Sequence, residues 1–226
     1  MDDTPTQEVA QQLQPSVKVH KRYLLWVAFV VGMSVMGIEM AASRLLTPYF
    51  GSSLYIWTNI IGIIMIALTM GYYVGGRVAD RYTSERPLYL IILAAGSYVL
   101  LVPLLARLVI NFMLREITEH PLSIFYSSFL SIWPLFVIPF MFLGMVTPYI
   151  IKLKSRQVAT VGHIAGQVAA CSTFGSILGT FIPVFLAIPF LGTKKTIFFF
   201  GLLLIVTALI GLGKGALNSK ASIQQD

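Results

Sequence analysis

The chain has 226 residues, of which 57% are hydrophobic and 11% charged, with a formal net charge of +7. A soluble domain carries about 25% charged residues. This composition, with a mean hydropathy of +0.81, therefore excludes an ordinary soluble globule and points to a polytopic membrane protein. The basic residues sit between apolar runs rather than in a patch with stacking aromatics. That excludes a nucleic-acid partner and makes the charge a topology signal first. A single cysteine, Cys171, excludes an intramolecular disulfide and a cysteine-built metal site.

Residues 1–22, MDDTPTQEVAQQLQPSVKVHKR, are acidic before they are basic, the reverse of a cleavable signal peptide. They read as a cytoplasmic tail before an uncleaved first helix. A span needs about 20 mostly apolar residues, and six runs qualify: Tyr23–Leu46, Leu54–Gly75, Leu88–Met113, Ser123–Ile151, Ile164–Leu191 and Thr196–Leu212. The expected architecture is thus an all-α integral membrane bundle of six spans over residues 23–212, followed by a polar tail, 213–226. Pro134, Pro139 and Pro148 in the fourth run, and Pro183 and Pro189 in the fifth, predict kinks.

With the N-terminus in the cytoplasm, Lys18, Lys21, Arg22, Arg77, Arg81, Arg86, Lys152, Lys154, Arg156, Lys214 and Lys220 fall inside. Arg115, Lys194 and Lys195 fall outside, with Arg44 and Arg107 near the outer boundary. The positive-inside rule favours this orientation and returns the C-terminus to the cytoplasm. Three spans followed by three predict an inverted repeat, as in many transporters. The second and fifth runs share a texture: Gly71 and Gly75 in one, Gly175 and Gly179 in the other. Small residues four apart let helix backbones approach closely.

Glu39 interrupts the first run, about 24 Å along a helix from Tyr23. That height lies in the outer third of a hydrocarbon core about 30 Å thick. Arg44 follows, about 140° around the helix, and Arg107 of the third run reaches a similar height. A carboxylate within a span is a functional-site hypothesis by default. Two readings stand side by side. Glu39 closes an intramembrane ion pair with Arg44 or Arg107, or it faces a cavity and meets a cation or proton.

The segment GYYVGGRVADRYTSERP joins the second and third runs. Gly75 and Gly76 permit a tight helix exit. Asp80, between Arg77 and Arg81, can clamp neighbouring helix ends through a carboxylate–guanidinium pair. The pattern of Gly76, Asp80 and Arg81 resembles the gate loop between the second and third helices of major facilitator transporters. Elsewhere His163 reads as an interface residue. Tyr49, Phe50, Tyr55 and Trp57 read as an aromatic belt. No nucleotide loop, metal-spaced ligand set or activated nucleophile is visible, so no cofactor, metal or catalytic residue is expected.

Several blocks in the same order carry a wider resemblance: EMAASRLLTPYFGSSLYIWTNIIG, MGYYVGGRVADR, FLGMVTPYIIKL and AACSTFGSILGTFIPVFLAIPFLGTKK. Together they resemble the membrane domain of bacterial and archaeal spermidine synthase-like proteins. In those chains a transporter-like helical domain precedes a soluble aminopropyltransferase-like one. The resemblance implies half of a major facilitator fold in a prokaryotic cell membrane. It places Glu39, Arg44, Asp80 and Arg81 on the family's charged positions. With the chain ending at Asp226, the expectation is a non-catalytic membrane subunit. It would bind or move a small cationic, polyamine-like solute as a homodimer, with other subunits, or with a separate spermidine synthase-like protein. The alternative is a structural anchor in a multi-protein complex.

Overall fold

The computed structural model describes residues 21–82, 84–114, 121–155 and 160–223. Most of the expected N-terminal tail lies outside the described residues. The described residues are helical, with no strand among them. Six helices are long and apolar enough to cross a membrane, which marks an integral membrane protein: Arg22–Phe50, Leu54–Arg81, Arg86–Phe112, Phe125–Lys154, Val161–Leu191 and Thr193–Lys214. We refer to them as the first to sixth spans.

The first helix, α1, runs Lys21–Phe50 over 30 residues, about 45 Å at 1.5 Å per residue. It overruns the expected end at Leu46 because nothing before Gly51 stops it. Pro48 near its end interrupts little. Gly51 then takes φ 82° and donates to the Thr47 carbonyl at 2.9 Å, a left-handed helix stop open to glycine. The second helix, α2, spans Leu54–Arg81, and the third, α3, spans Arg86–Leu114. The fourth span joins α4, Pro121–Ile132, to α5, Ile138–Lys154, through one π turn, Trp133–Val137. The fifth joins α6, Val161–Ile182, to the short α7, Ile188–Leu191, through a second π turn, Pro183–Ala187. Both breaks hold or precede the prolines expected to kink these spans, because a proline ring displaces the carbonyl one turn back. Gly192, at φ 84°, turns the chain into α8, Thr193–Ile223. The helix therefore continues through most of the segment expected to be a polar tail.

The bundle is built from three helix pairs. The first span packs most extensively on the fifth, the second on the fourth, and the third on the sixth. Lesser contacts join the first to the sixth and the third to the fourth. Gly71 and Gly75 lie against Met141 and Met145 of the fourth span, and Gly175 and Gly179 lie against Phe29 and Met33 of the first. A Cβ at any of the four would enter backbone atoms of the partner helix. These are close approaches of the small-residue kind, which drive association where lipid removes the hydrophobic incentive. Gly75 is thus a contact inside a continuous helix rather than the helix exit expected for it.

Polar groups fasten the two ends. Asn59 Nδ2 donates to Ser128 Oγ at 2.9 Å and to the Phe125 carbonyl at 3.2 Å, tying the second span to the fourth. At the other end, Tyr23 Oη donates to the Thr207 carbonyl at 2.6 Å, and Lys214 lies 4.2 Å above the Tyr23 ring. The buried Tyr89 ring stands 6.1 Å from Tyr23, and its hydroxyl donates to Glu85 Oε2 at 3.1 Å. These contacts tie together the first, third and sixth spans.

Candidate functional site

Glu39 is buried on the first span, at 8% exposure. It stands about one turn beyond Met36, the midpoint of Arg22–Phe50. Because the helix is longer than the apolar run suggested, Glu39 lies nearer the helix centre than expected. Arg44 and Arg107 are both exposed. Among the described residues, neither pairs with Glu39, and Glu39 makes no hydrogen bond. Ser43, four residues on and on the same face, donates instead to the Met40 carbonyl at 2.9 Å. The expected Glu39–Arg44–Arg107 ion-pair cluster is therefore absent. Height alone put the three together; their azimuths point the arginines outward, where long side chains snorkel.

Among the described residues, the fully enclosed side-chain polar atoms without a partner are Ser34 Oγ and Ser155 Oγ. Glu39 thus combines near-complete burial with no compensating cation among the described residues. Leaving a carboxylate bare in an apolar setting is costly, so the position suits a group that meets a mobile cation or proton.

At the end of the bundle carrying Lys152, Asp80 Oδ1 accepts from Lys152 Nζ at 2.7 Å, with both side chains largely exposed. The clamp between neighbouring helix ends expected at Asp80 forms, with two corrections. Its partner is an ammonium on the fourth span rather than a guanidinium nearby in sequence. Asp80 and Arg81 also belong to the last turn of α2 rather than to a loop. Arg81 is exposed and joins no ion pair among the described residues. Arg77 stacks its guanidinium 4.0 Å above the Tyr73 ring. Gly76 has no atom near the place a Cβ would occupy.

Sequence reasoning missed the latch beside this pair. Tyr149 is fully buried, and its hydroxyl lies 2.8 Å from the Tyr82 carbonyl and 3.1 Å from that of Ser84. It holds the chain segment leaving α2 against the fourth span. The one available signal was a tyrosine set among aliphatic residues one turn before Lys152 and Lys154. His163 lies exposed, its Nε2 2.9 Å from Gln167 Nε2, and Gln167 Oε1 accepts from Lys154 Nζ at 3.4 Å. No group of three or more His, Cys, Asp or Glu residues suited to a metal occurs among the described residues.

Neither a protein-family model, a curated protein nor a solved structure matches this chain.

Proposed function

We propose that the chain is a membrane subunit that binds or moves a small cationic solute, with Glu39 as the group that receives the positive charge. The observation that carries this reading is the buried carboxylate of Glu39, without a protein partner among the described residues. The ion-pair alternative needed Arg44 or Arg107 at its side, and both point outward. A polyamine such as spermidine is the first probe, following the resemblance drawn from sequence.

An inverted repeat of three spans and three spans belongs to the same proposal, and the helix pairing supports it. Exchanging first with fourth, second with fifth and third with sixth turns the first–fifth pair into the fourth–second pair. The third–sixth pair maps onto itself, and the first–sixth contact maps onto the fourth–third. Register agrees as well. The shift that takes Gly71 to Gly175 takes Gly75 to Gly179, and the shift that takes Met141 to Phe29 takes Met145 to Met33. Gly32 and Gly144 correspond under that same shift, and each lies against the partner pair's helix.

Such a unit works in an assembly. Only 17% of the most apolar 18-residue stretch of the fifth span is buried, against 61% in the first, which leaves a broad helix face for a second copy or another subunit. In this reading the Asp80–Lys152 pair tethers helix ends on the cytoplasmic side.

The test is spermidine binding and uptake by the full chain reconstituted in liposomes, wild type against Glu39→Gln. The expected result is saturable spermidine binding in the wild type, lost in Glu39→Gln, with both proteins equally monodisperse. Equal binding by the two proteins would overturn the role of Glu39. A collapse of assembly in Glu39→Gln would turn the reading toward a structural anchor.

A further inference from the structure

A cavity of about 70 Å³ lies where the first, second, fourth and fifth spans meet. Its walls fall within about two turns of the middle of each span. The polar wall is Tyr72, Thr147, Ser172 and Ser176; Val31 and Val35 form part of the apolar wall. No ionisable carboxylate, ammonium, guanidinium or imidazole lines it. Glu39, one turn beyond Val35, stands outside the wall. This space is therefore distinct from the Glu39 site.

Hydroxyl accounting sets the cavity apart from the rest of the bundle. In a span, a serine or threonine normally satisfies itself by donating to the carbonyl four residues back. Thr47 does so to Ser43, Thr69 to Met65, Thr180 to Ser176 and Thr207 to Leu203, at 2.7–2.9 Å. The cavity hydroxyls do not follow this habit. Ser176 Oγ crosses to the Gly32 carbonyl at 3.1 Å. The hydroxyls of Tyr72, Thr147 and Ser172 have no partner among the described residues. Three residues whose hydroxyls make no hydrogen bond among the described residues thus line one small space in the apolar layer. A hydroxyl without a partner there costs about 2–7 kcal/mol, depending on the reference state. The space has room for a few water molecules, each needing about 10–15 Å³ by this measure.

We propose that this cavity is a binding site for a small uncharged solute that both donates and accepts hydrogen bonds, an alcohol, diol or amide of a few heavy atoms. The small volume favours a solute of a few heavy atoms. With no charge in the wall, the lining favours an uncharged solute over a cation. Hydroxyls select for groups that hydrogen-bond both ways. The placement agrees with the exchange of halves proposed above, in which Val35 answers to Thr147 and Tyr72 to Ser176. Inverted-repeat transporters bind at such a junction near the midplane. The site nevertheless stands on its own lining and does not depend on Glu39.

Thiol labelling tests it. Cys171 is replaced by alanine in the full chain, and single cysteines are introduced as Ser172→Cys at the cavity and Ile177→Cys on the exposed apolar face. The thiolate adds to the double bond of N-ethylmaleimide, and it forms only where water reaches. The expected result is at least tenfold faster labelling of Ser172→Cys than of Ile177→Cys. Ethylene glycol should slow the Ser172→Cys reaction at least threefold, and sorbitol at the same osmolality should not. Adding Glu39→Gln should leave that protection unchanged, so this site and the cation reading can fail separately. Equal, slow labelling at both positions would overturn the proposal by showing a dry cavity. Protection by spermidine and not by ethylene glycol would overturn the assignment to uncharged solutes. Should Ser172→Cys not yield monodisperse protein, Thr147→Cys carries the same test from the opposite wall.

Discussion

Asp80 and Glu39 are both carboxylates on long apolar helices, and the protein treats them in opposite ways. Asp80 sits at a helix end, exposed, with Lys152 at 2.7 Å. Glu39 sits deep in its helix, buried, with no cation supplied by the described residues. Where water can solvate both partners, an ion pair forms readily and is worth little. Where water is excluded, a carboxylate is expensive unless something answers its charge. The paired residue is therefore a fastening, and the unpaired one is the place to look for function.

Four measurements sharpen or break that contrast. The largest effect should come from neither carboxylate but from the scaffold that separates them. Gly179→Leu drives a side chain into the Met33 backbone and should cost about 3 kcal/mol or more, seen as loss of monodisperse protein in detergent. Gly62→Leu, with no neighbour within 4 Å of its Cβ position, should behave as wild type. Next comes Glu39→Gln, expected to weaken spermidine binding at least about tenfold, or about 1.4 kcal/mol, by equilibrium dialysis without change in melting temperature beyond a few degrees. Glu39→Leu should go further in one respect. Removing an unanswered buried charge should stabilise the ligand-free protein by about 1 kcal/mol, a rise of about 2–4 °C in thermal unfolding. Asp80→Asn should matter least, about 0.2–1 kcal/mol, and that small loss should vanish in high salt as the wild-type pair is screened. If Asp80→Asn outweighed Glu39→Gln in binding, the contrast would be the wrong way round.

Much of the fold could be read from the chain because lipid imposes a simple rule. Every backbone polar group must be satisfied within the span, so each apolar run becomes a helix, and Pro134 and Pro183 mark where two of them break. Gly71, Gly75, Gly175 and Gly179 announced close helix contacts by their spacing. The site was less legible. Counting along a helix gives the height of a side chain, and height put Glu39, Arg44 and Arg107 at one level. It does not give the direction each faces, and direction separated them. Asp80 failed in the same manner: the cation that meets it, Lys152, lies 72 residues away on a helix whose pairing with the second span no local pattern reveals. The cavity hydroxyls were invisible for a further reason. Thr147, Ser172 and Ser176 look like the self-satisfied serines and threonines around them until their donors are traced.

The π turn at Trp133–Val137 gives the fourth span an unusual dependence on length. A π turn takes up an extra residue, so everything beyond it is rotated by about 100° relative to an uninterrupted α-helix. The part before the turn offers Ser128 to Asn59, while the part after it offers Met141 and Met145 to the glycines of the second span. The extra residue sets the phase between the two parts. Deleting any one residue between 133 and 137 would let the turn revert to ordinary α-helix and swing one half out of phase with the other. Many side-chain exchanges in that segment would leave the phase intact. In this stretch the number of residues is under tighter control than their identity.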